Sequence, residues 1–290
     1  MGKTLVINGA DFSAVSIGKV ELPRELSEIA LAWIDASGNI GLTDEQKFAI
    51  DDFITAIGVD VVGSVYSKID RLWLPMIAGD KAHSLVDYKN GYVNAYTSMP
   101  QTSKTSFDDN VSFVNNGLKA IQSESTMAQI IVDSDYTFNS QDCSFFMFNT
   151  EDYATLAAGQ YKDVGGIGDV SSLHKRFGML LTSTALQNKF LSSTILFYDT
   201  KSGFREPHLH GVASNSTEIS LLYSDGTFGS SAAVTSETLT GISILRDAAT
   251  YLNTGATSYG ALIVGKYMTN ENITTLRTAL DTLFVAITNN

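Results

Sequence analysis

Apolar positions along the first quarter of the chain recur at helical spacing. Leu26, Ile29, Ala30 and Trp33 share one face of a helix that the pattern starts near Pro23 and Gly38 closes. Thr43-Asp44-Glu45-Gln46 carries a capping-box signature, in which a threonine hydroxyl and a glutamine amide satisfy first-turn N–H groups. Ile50, Phe53, Ile54 and Ile57 supply the buried stripe of that second helix, and Gly58 stops it. A third helix is expected over residues 61–74, with Val62, Val65, Tyr66, Ile69, Leu72 and Trp73 inward and Pro75 ending it. These segments predict a helical unit over residues 21–79. Ahead of it, residues 4–7 and 12–20 read as extended pieces of an arm covering residues 1–20.

Past Asp80 the spacing changes. Short apolar runs alternate with turn residues for about 180 residues, at the rhythm of a sandwich or barrel. The best strands are residues 128–132, 143–149, 177–182, 193–198, 208–212, 218–224, 239–246 and 260–265, with Asp225-Gly226 forming a hairpin turn. Eight or more strands without intervening helices exclude a doubly wound α/β fold. Thr269 or Asn270 then caps a helix over residues 270–287, whose Ile273, Leu276, Leu280, Leu283, Phe284 and Ile287 share the face that docks on the sheet. The fold class is mainly β, an antiparallel jelly-roll sandwich over residues 80–290, with an N-terminal helical unit and a C-terminal helix. No internal repeat is legible.

Composition narrows the partners. Asp plus Glu number 31 against 19 Lys plus Arg, a formal charge of -12, and the basic residues are scattered. Nucleic acid is therefore not expected to bind. With only 17% charged residues, much of the polar surface is Ser, Thr and Asn, which suits a neutral polar ligand. Cys143 stands alone, so no intramolecular disulfide and no cysteine-based zinc site is possible; a small buried hydrophobe is its expected role. The first residues lack the apolar run of a secretory leader, and no stretch has the length to span a bilayer, so membrane insertion is not expected.

Candidate chemistry is sparse. In Glu206-Pro207-His208-Leu209-His210 two imidazoles two apart on a strand, with a carboxylate beside them, could ligate zinc or iron. The competing reading, an edge strand marked by Pro207 with histidines facing solvent or a neighbouring subunit, is preferred, and no metal or other cofactor is expected. Asp133 and Asp135 alternate as glycosidase carboxylates do but fall at the turn-rich end of a strand, where a solvated loop or cation site is commoner. Residues 163–169, bounded by Asp163 and Asp169, are glycine-rich without the following Lys-Ser/Thr of a phosphate cradle, and read as a flexible loop. No Gly-x-Ser-x-Gly elbow is present. Enzymatic activity is not expected. In Tyr88-Lys89-Asn90-Gly91-Tyr92-Val93-Asn94-Ala95-Tyr96, Tyr92 and Tyr96 share a strand face and, beside amide side chains, could stack and hydrogen-bond a neutral sugar. Alternatively they cover the sheet where the helices meet it.

One resemblance spans roughly residues 41–290. Gly41-Leu42-Thr43-Asp44-Glu45 through Asp51-Asp52-Phe53, Val65-Tyr66-Ser67-Lys68-Ile69 to Trp73-Leu74-Pro75-Met76, and His83-Ser84-Leu85-Val86-Asp87-Tyr88 form one succession. It resembles the segment that precedes the jelly roll in concanavalin-like, laminin-G-like domains of tailed phages of gut bacteria, crAss-like phages included. Asn115-Asn116-Gly117-Leu118-Lys119-Ala120, and Gly260-Ala261-Leu262-Ile263-Val264-Gly265 with Thr269-Asn270-Glu271, are similar to an early strand and to the closing strand and helix start of that family. Met76 departs from it, since Phe or a small residue usually follows the proline.

The resemblance implies a virion structural protein, a tail fibre or a head fibre or decoration protein, with other virion proteins as its neighbours in a homotrimeric particle component. Residues 1–20 would then attach to the virion, and the outer loops would meet host surface glycan. A free bacterial glycan-binding lectin and a sandwich-type glycoside hydrolase or lyase are the alternatives.

Overall fold

The computed structural model describes residues 24–90, 92–93, 111–120, 130–153, 155, 158, 161–168, 176–190, 194–200, 206–244 and 257–289. The expected arm lies outside them. Two helices come first, α1 (Glu28–Ala36) and α2 (Asp44–Ile57). Strands follow: β1 (Ile69–Trp73), β2 (Val86–Asp87), β3 (Tyr92–Val93), β4 (Val111–Val114), β5 (Gly117–Ala120), β6 (Ile130–Asn139), β7 (Cys143–Asn149) and β8 (Tyr161–Gly168). The remainder are β9 (Arg176–Thr182), β10 (Leu186–Phe190), β11 (Thr194–Asp199), β12 (Leu209–Ser214), β13 (Glu218–Leu222), β14 (Phe228–Ala232), β15 (Thr238–Ile244) and β16 (Tyr259–Gly265), before the closing helix α3 (Asn270–Thr288).

Among the described residues the strands make two antiparallel sheets, one of them ordered β14-β13-β12-β7-β16-β1-β2-β3, with the β4–β5 hairpin joined to β16. The other runs β11-β10-β9-β8-β15-β6. The sheets close on a core that takes Phe145, Met147, Leu262 and Val264 from the first and Ile167, Phe177, Met179 and Ile242 from the second. The outer face of the first sheet carries α1, α2 and α3 over Phe146, Phe148, Ala261 and Ile263. The expected fold class is what the chain adopts: a mainly β jelly-roll sandwich, with the helices as a third layer.

That third layer explains the composition of the middle strands. β7 and β16 are buried at every position because both of their faces are covered, so they read as continuous apolar runs. Each large apolar side chain buried this way contributes about 1.5–3 kcal/mol.

Local signals set the helix ends. Thr43 and Gln46 form the capping box on α2, with bonds of 2.9 and 3.3 Å, and Gly58 ends that helix at φ 71. Thr269 and Asn272 form a second capping box on α3. α1 begins later than its apolar pattern suggests, because Ser27 is extended and its hydroxyl accepts from Ala30 N at 3.1 Å. Asp51 receives the same hydroxyl at 2.6 Å, which fixes the Ser27 cap against α2.

The third helix expected over residues 61–74 is instead a loop, one 3-10 turn (Tyr66–Lys68) and the strand β1. Gly58, Asp60 and Gly63 all take positive φ, which breaks a right-handed helix at its start. Leu72 then faces the helices and Trp73 the sandwich interior, so a doubly covered strand imitates helical spacing. The glycine-rich stretch expected as a loop is likewise a strand, β8, paired with β9 from Tyr161 to Gly168 with one register shift between Asp163 and Gly165. Gly166 lies opposite Gly178, where a Cβ at 166 would stand 2.1 Å from the Phe177 carbonyl oxygen. These glycines permit close strand approach.

Candidate functional site

Two polar clusters interrupt the apolar layers. The first lies at a rim where β1 and β2 of one sheet meet β6 of the other. Asp87 is its hub, and β1–β2 pairing places it opposite Trp73. Its side chain is wholly buried, and Oδ1 accepts from Leu72 N at 3.2 Å and from Lys89 N at 2.9 Å. Oδ2 accepts from Asn90 Nδ2 at 2.6 Å and lies 3.6 Å from Arg71 Nε. Burial pushes its pKa up, against the opposing pull of those hydrogen bonds and of Arg71.

Around this hub the side chains are partly exposed. Tyr136 Oη donates to Asp70 Oδ2 at 3.0 Å, tying β6 to β1, and the Arg71 guanidinium lies 5.5 Å from the Tyr136 ring centre. A register shift in β6–β15 pairing sits between Asp133 and Thr137, so Tyr136 emerges from a bulged segment. Lys89 Nζ donates to Tyr66 O at 3.0 Å and stands 3.7 Å from the Tyr66 ring centre. Burial lowers the Lys89 pKa, while Asp70, Asp60 and Asp87 oppose that shift. Asn90 Nδ2 also reaches Asp70 O at 3.0 Å.

The bonding leaves specific valences open. Asp70 keeps one carboxylate oxygen and Asn90 its amide oxygen without a hydrogen-bond partner inside the described residues, and the Lys89 ammonium, set against the Tyr66 ring, makes one hydrogen bond of the three it can donate. Acceptors and donors thus stand together on side chains whose other ends are anchored. A hydroxyl both donates and accepts, so such a mixed set fits a polyol better than it fits a simple ion.

The sequence-derived residues fall unevenly around this rim. Tyr92 is placed across from Asp87 by β2–β3 pairing, beside the cluster. Tyr96 lies outside the described residues. Tyr88 is buried and packs against Trp33 with ring centres 4.9 Å apart, as a cover between helix and sheet does. Asp70, Lys89, Asn90 and Tyr136 were not singled out by sequence; Lys89 and Asn90 stand inside the tyrosine-rich run, and that was the available signal. Asp135 is exposed in the body of β6 and not at a turn-rich end, since strand pairing runs on to Asn139; the Asp133 side chain lies outside the described residues.

The second cluster gathers where β12, the end of β11 and α3 meet. His210 does not face solvent, as an edge-strand histidine would, because β12 is flanked by β7 and β13. Its ring is fully enclosed, and neither nitrogen has a hydrogen-bond partner among the described residues. Burial, then His208 and Arg277, push its pKa down to about 3. His208 is half-buried, with Nδ1 unpartnered and Nε2 3.8 Å from Glu206 Oε2. Among the described residues no three His, Cys, Asp or Glu side chains converge as metal ligands would. Cys143 is buried, and burial followed by the nearby Asp142 charge raises its thiol pKa, the state of an inert core residue. None of the described helices is long and apolar enough to cross a membrane.

No known protein-family profile matches the chain, and no curated protein matches it. Among solved structures it is similar to a Trypanosoma rangeli sialidase mutant with trans-sialidase activity, at 9% identity and a TM-score of 0.49, over 88% of this chain and 38% of that one. It is also similar to the binding domain of botulinum neurotoxin serotype D, at 15% identity and 0.46, over 76% and 51% of the two chains. A third is domain 4 of the Geobacillus stearothermophilus GH43 arabinanase AbnA, solved with arabinotriose, at 10% and 0.49, over 72% and 98%. The chain spans about a third to a half of the first two. No ligand or activity is carried over by likeness of this degree.

Proposed function

We propose that this chain is a non-catalytic surface protein of a tailed-phage virion that holds a neutral glycan at the Asp70–Lys89–Asn90–Tyr136 rim. The observation that carries the glycan reading is the mixed set of open donors and acceptors on anchored side chains. Sugar hydroxyls use both kinds, and a formal charge of -12 works against acidic glycans. On β3, strand pairing sets the Tyr92 backbone opposite Asp87, just after the Lys89-Asn90 pair of the rim in sequence. The virion reading rests on the resemblance of residues 41–290 to phage jelly-roll proteins, and includes assembly as a homotrimer.

A glycan array probed with the purified chain tests the first part. Binding to neutral oligosaccharides is expected, with sialylated and sulfated glycans weaker; binding confined to acidic glycans overturns it. Release of reducing ends from a bound polysaccharide would instead support the hydrolase reading. Light scattering tests the assembly, where a monodisperse monomer at micromolar concentration removes the trimer.

A further inference from the structure

The second cluster has no part in the rim. Its physical oddity is that buried polar atoms are nearly always paired, yet both nitrogens of His210 and Nδ1 of His208 are not. The two rings lie 6.4 Å apart, edge to face, and Tyr153 meets His210 at 5.7 Å. α3 supplies the remaining contact. Arg277 Nη2 donates to Ser224 O at 2.8 Å, and its Nε lies 3.5 Å from Asp281 Oδ2. The guanidinium also packs on Gly226, where φ is +83 and an added Cβ would come within 2.3 Å of it. Asp199, buried at the end of β11, accepts from Ser224 N at 2.7 Å and Ser224 Oγ at 3.2 Å. One guanidinium therefore fastens the β13–β14 turn to α3 directly above the histidine pair.

We infer that this corner is an acid-released latch, in which protonation of His208 and His210 drives the β13–β14 turn and the first half of α3 away from the start of β12. A proton on either ring places a positive charge beside the other ring and beside Arg277, and neither His210 nitrogen has a hydrogen-bond partner among the described residues. Among the described residues the charged groups facing the pair are Glu206 before β12, Asp199 from β11, and Arg277 and Asp281 from α3, and the Tyr153 ring after β7 abuts His210. At His208 the carboxylates of Asp281, Glu206 and Asp199 pull toward protonation, but burial and Arg277 prevail; at His210 burial, then His208 and Arg277, act together against the proton. Asp199 and Asp281 are already engaged by Ser224 and Arg277. Opening hydrates both rings and returns them to ordinary basicity, so acid favours the open state.

Hydrogen exchange read by mass spectrometry at pH 7.5 and 5.0, corrected for intrinsic rates, tests the latch on the full chain. In wild type, peptides covering residues 206–226 and 270–281 should exchange at least about tenfold faster at pH 5.0, while α2 is unchanged. The His208→Gln/His210→Phe variant should lose that pH difference. Equal wild-type protection at both pH values overturns the inference, as does the same acid loss in the variant. Should that variant not fold, His208→Gln alone is compared, and wild-type imidazole titrations are followed by NMR. A His210 that titrates at or above the ordinary histidine value also overturns it.

Discussion

Asp87→Asn separates the two forces acting on the rim's buried carboxylate. The substitution keeps the shape and removes the charge. Oδ1 can remain an acceptor for Leu72 N and Lys89 N, but the new Nδ2 then stands where Oδ2 took the 2.6 Å bond from Asn90 Nδ2. Donor faces donor. Each unpaired buried donor costs about 1–3 kcal/mol, and relief from burying a charge returns part of that. Turning the Asn90 amide over would restore one pair while losing the 3.0 Å bond to Asp70 O. The expected net loss is about 2–3 kcal/mol, and not below about 1. Urea denaturation followed by tryptophan fluorescence measures it, since Trp33 and Trp73, the two tryptophans, are both buried near the hub. Asp44→Asn, at an exposed ion pair with Lys47, is the control and should change stability by about 0.5 kcal/mol or less.

The same pair of proteins has a pH signature. The folded pKa of Asp87 is raised, so the folded state holds a proton that the unfolded state has released at pH values just above the ordinary carboxylate range. Its contribution is present below that range and fades as pH rises through the folded pKa. The wild type should therefore gain on Asp87→Asn as pH falls through that window. A variant as stable as wild type at pH 7 would refute the bonding argument and leave desolvation in charge.

Two further substitutions test the layers. Gly166→Ala should cost about 1–3 kcal/mol by driving β8 from β9, whereas Gly41→Ala, whose Cβ meets only Asn39 Oδ1 at 3.6 Å, should be near neutral in the same denaturation assay. Leu280→Ala, on the fully buried face of α3, should cost about 3–5 kcal/mol, against about 0.5 or less for the exposed Val285→Ala; equal effects would mean that α3 is not a packed layer. His210 makes folded stability fall with acid. Its folded pKa of about 3 lies below the ordinary 6.5, so stability is complete above pH 6.5 and declines below it, by up to about 1.4 kcal/mol per pH unit. Wild type should lose more than His210→Phe between pH 7 and 5, by the denaturation midpoints; parallel losses would contradict the burial of a neutral imidazole.

Capping chemistry was the part of the fold most plainly written in the sequence. Thr43-x-x-Gln46 and Thr269 act within one turn of themselves, and both boxes form. The Asp225-Gly226 hairpin is local in the same way, with Tyr223 N donating to Thr227 O at 3.0 Å. β1 was hidden because burial on both faces erases the period-two pattern, and only the left-handed Gly58, Asp60 and Gly63 mark the break. β8 was hidden because glycine signals a turn unless a partner strand comes close, and that partner, Gly178, lies on the following strand, outside the local window that the glycines fill. The rim was half legible. The tyrosine-rich run pointed to Lys89 and Asn90, but Asp70 and Tyr136 meet across 66 residues, and no local pattern encodes that contact.

The glycan reading stands or falls on the open valences at Asp70. Isothermal titration of a neutral array-selected oligosaccharide into wild type and Asp70→Ala, with Asp44→Asn beside them, tests it most directly. Loss of a carboxylate–hydroxyl bond, about 1.5–3 kcal/mol, predicts affinity about 10- to 100-fold weaker for Asp70→Ala and unchanged for Asp44→Asn. Equal affinity in all three proteins would place the sugar elsewhere on the molecule and contradict the account.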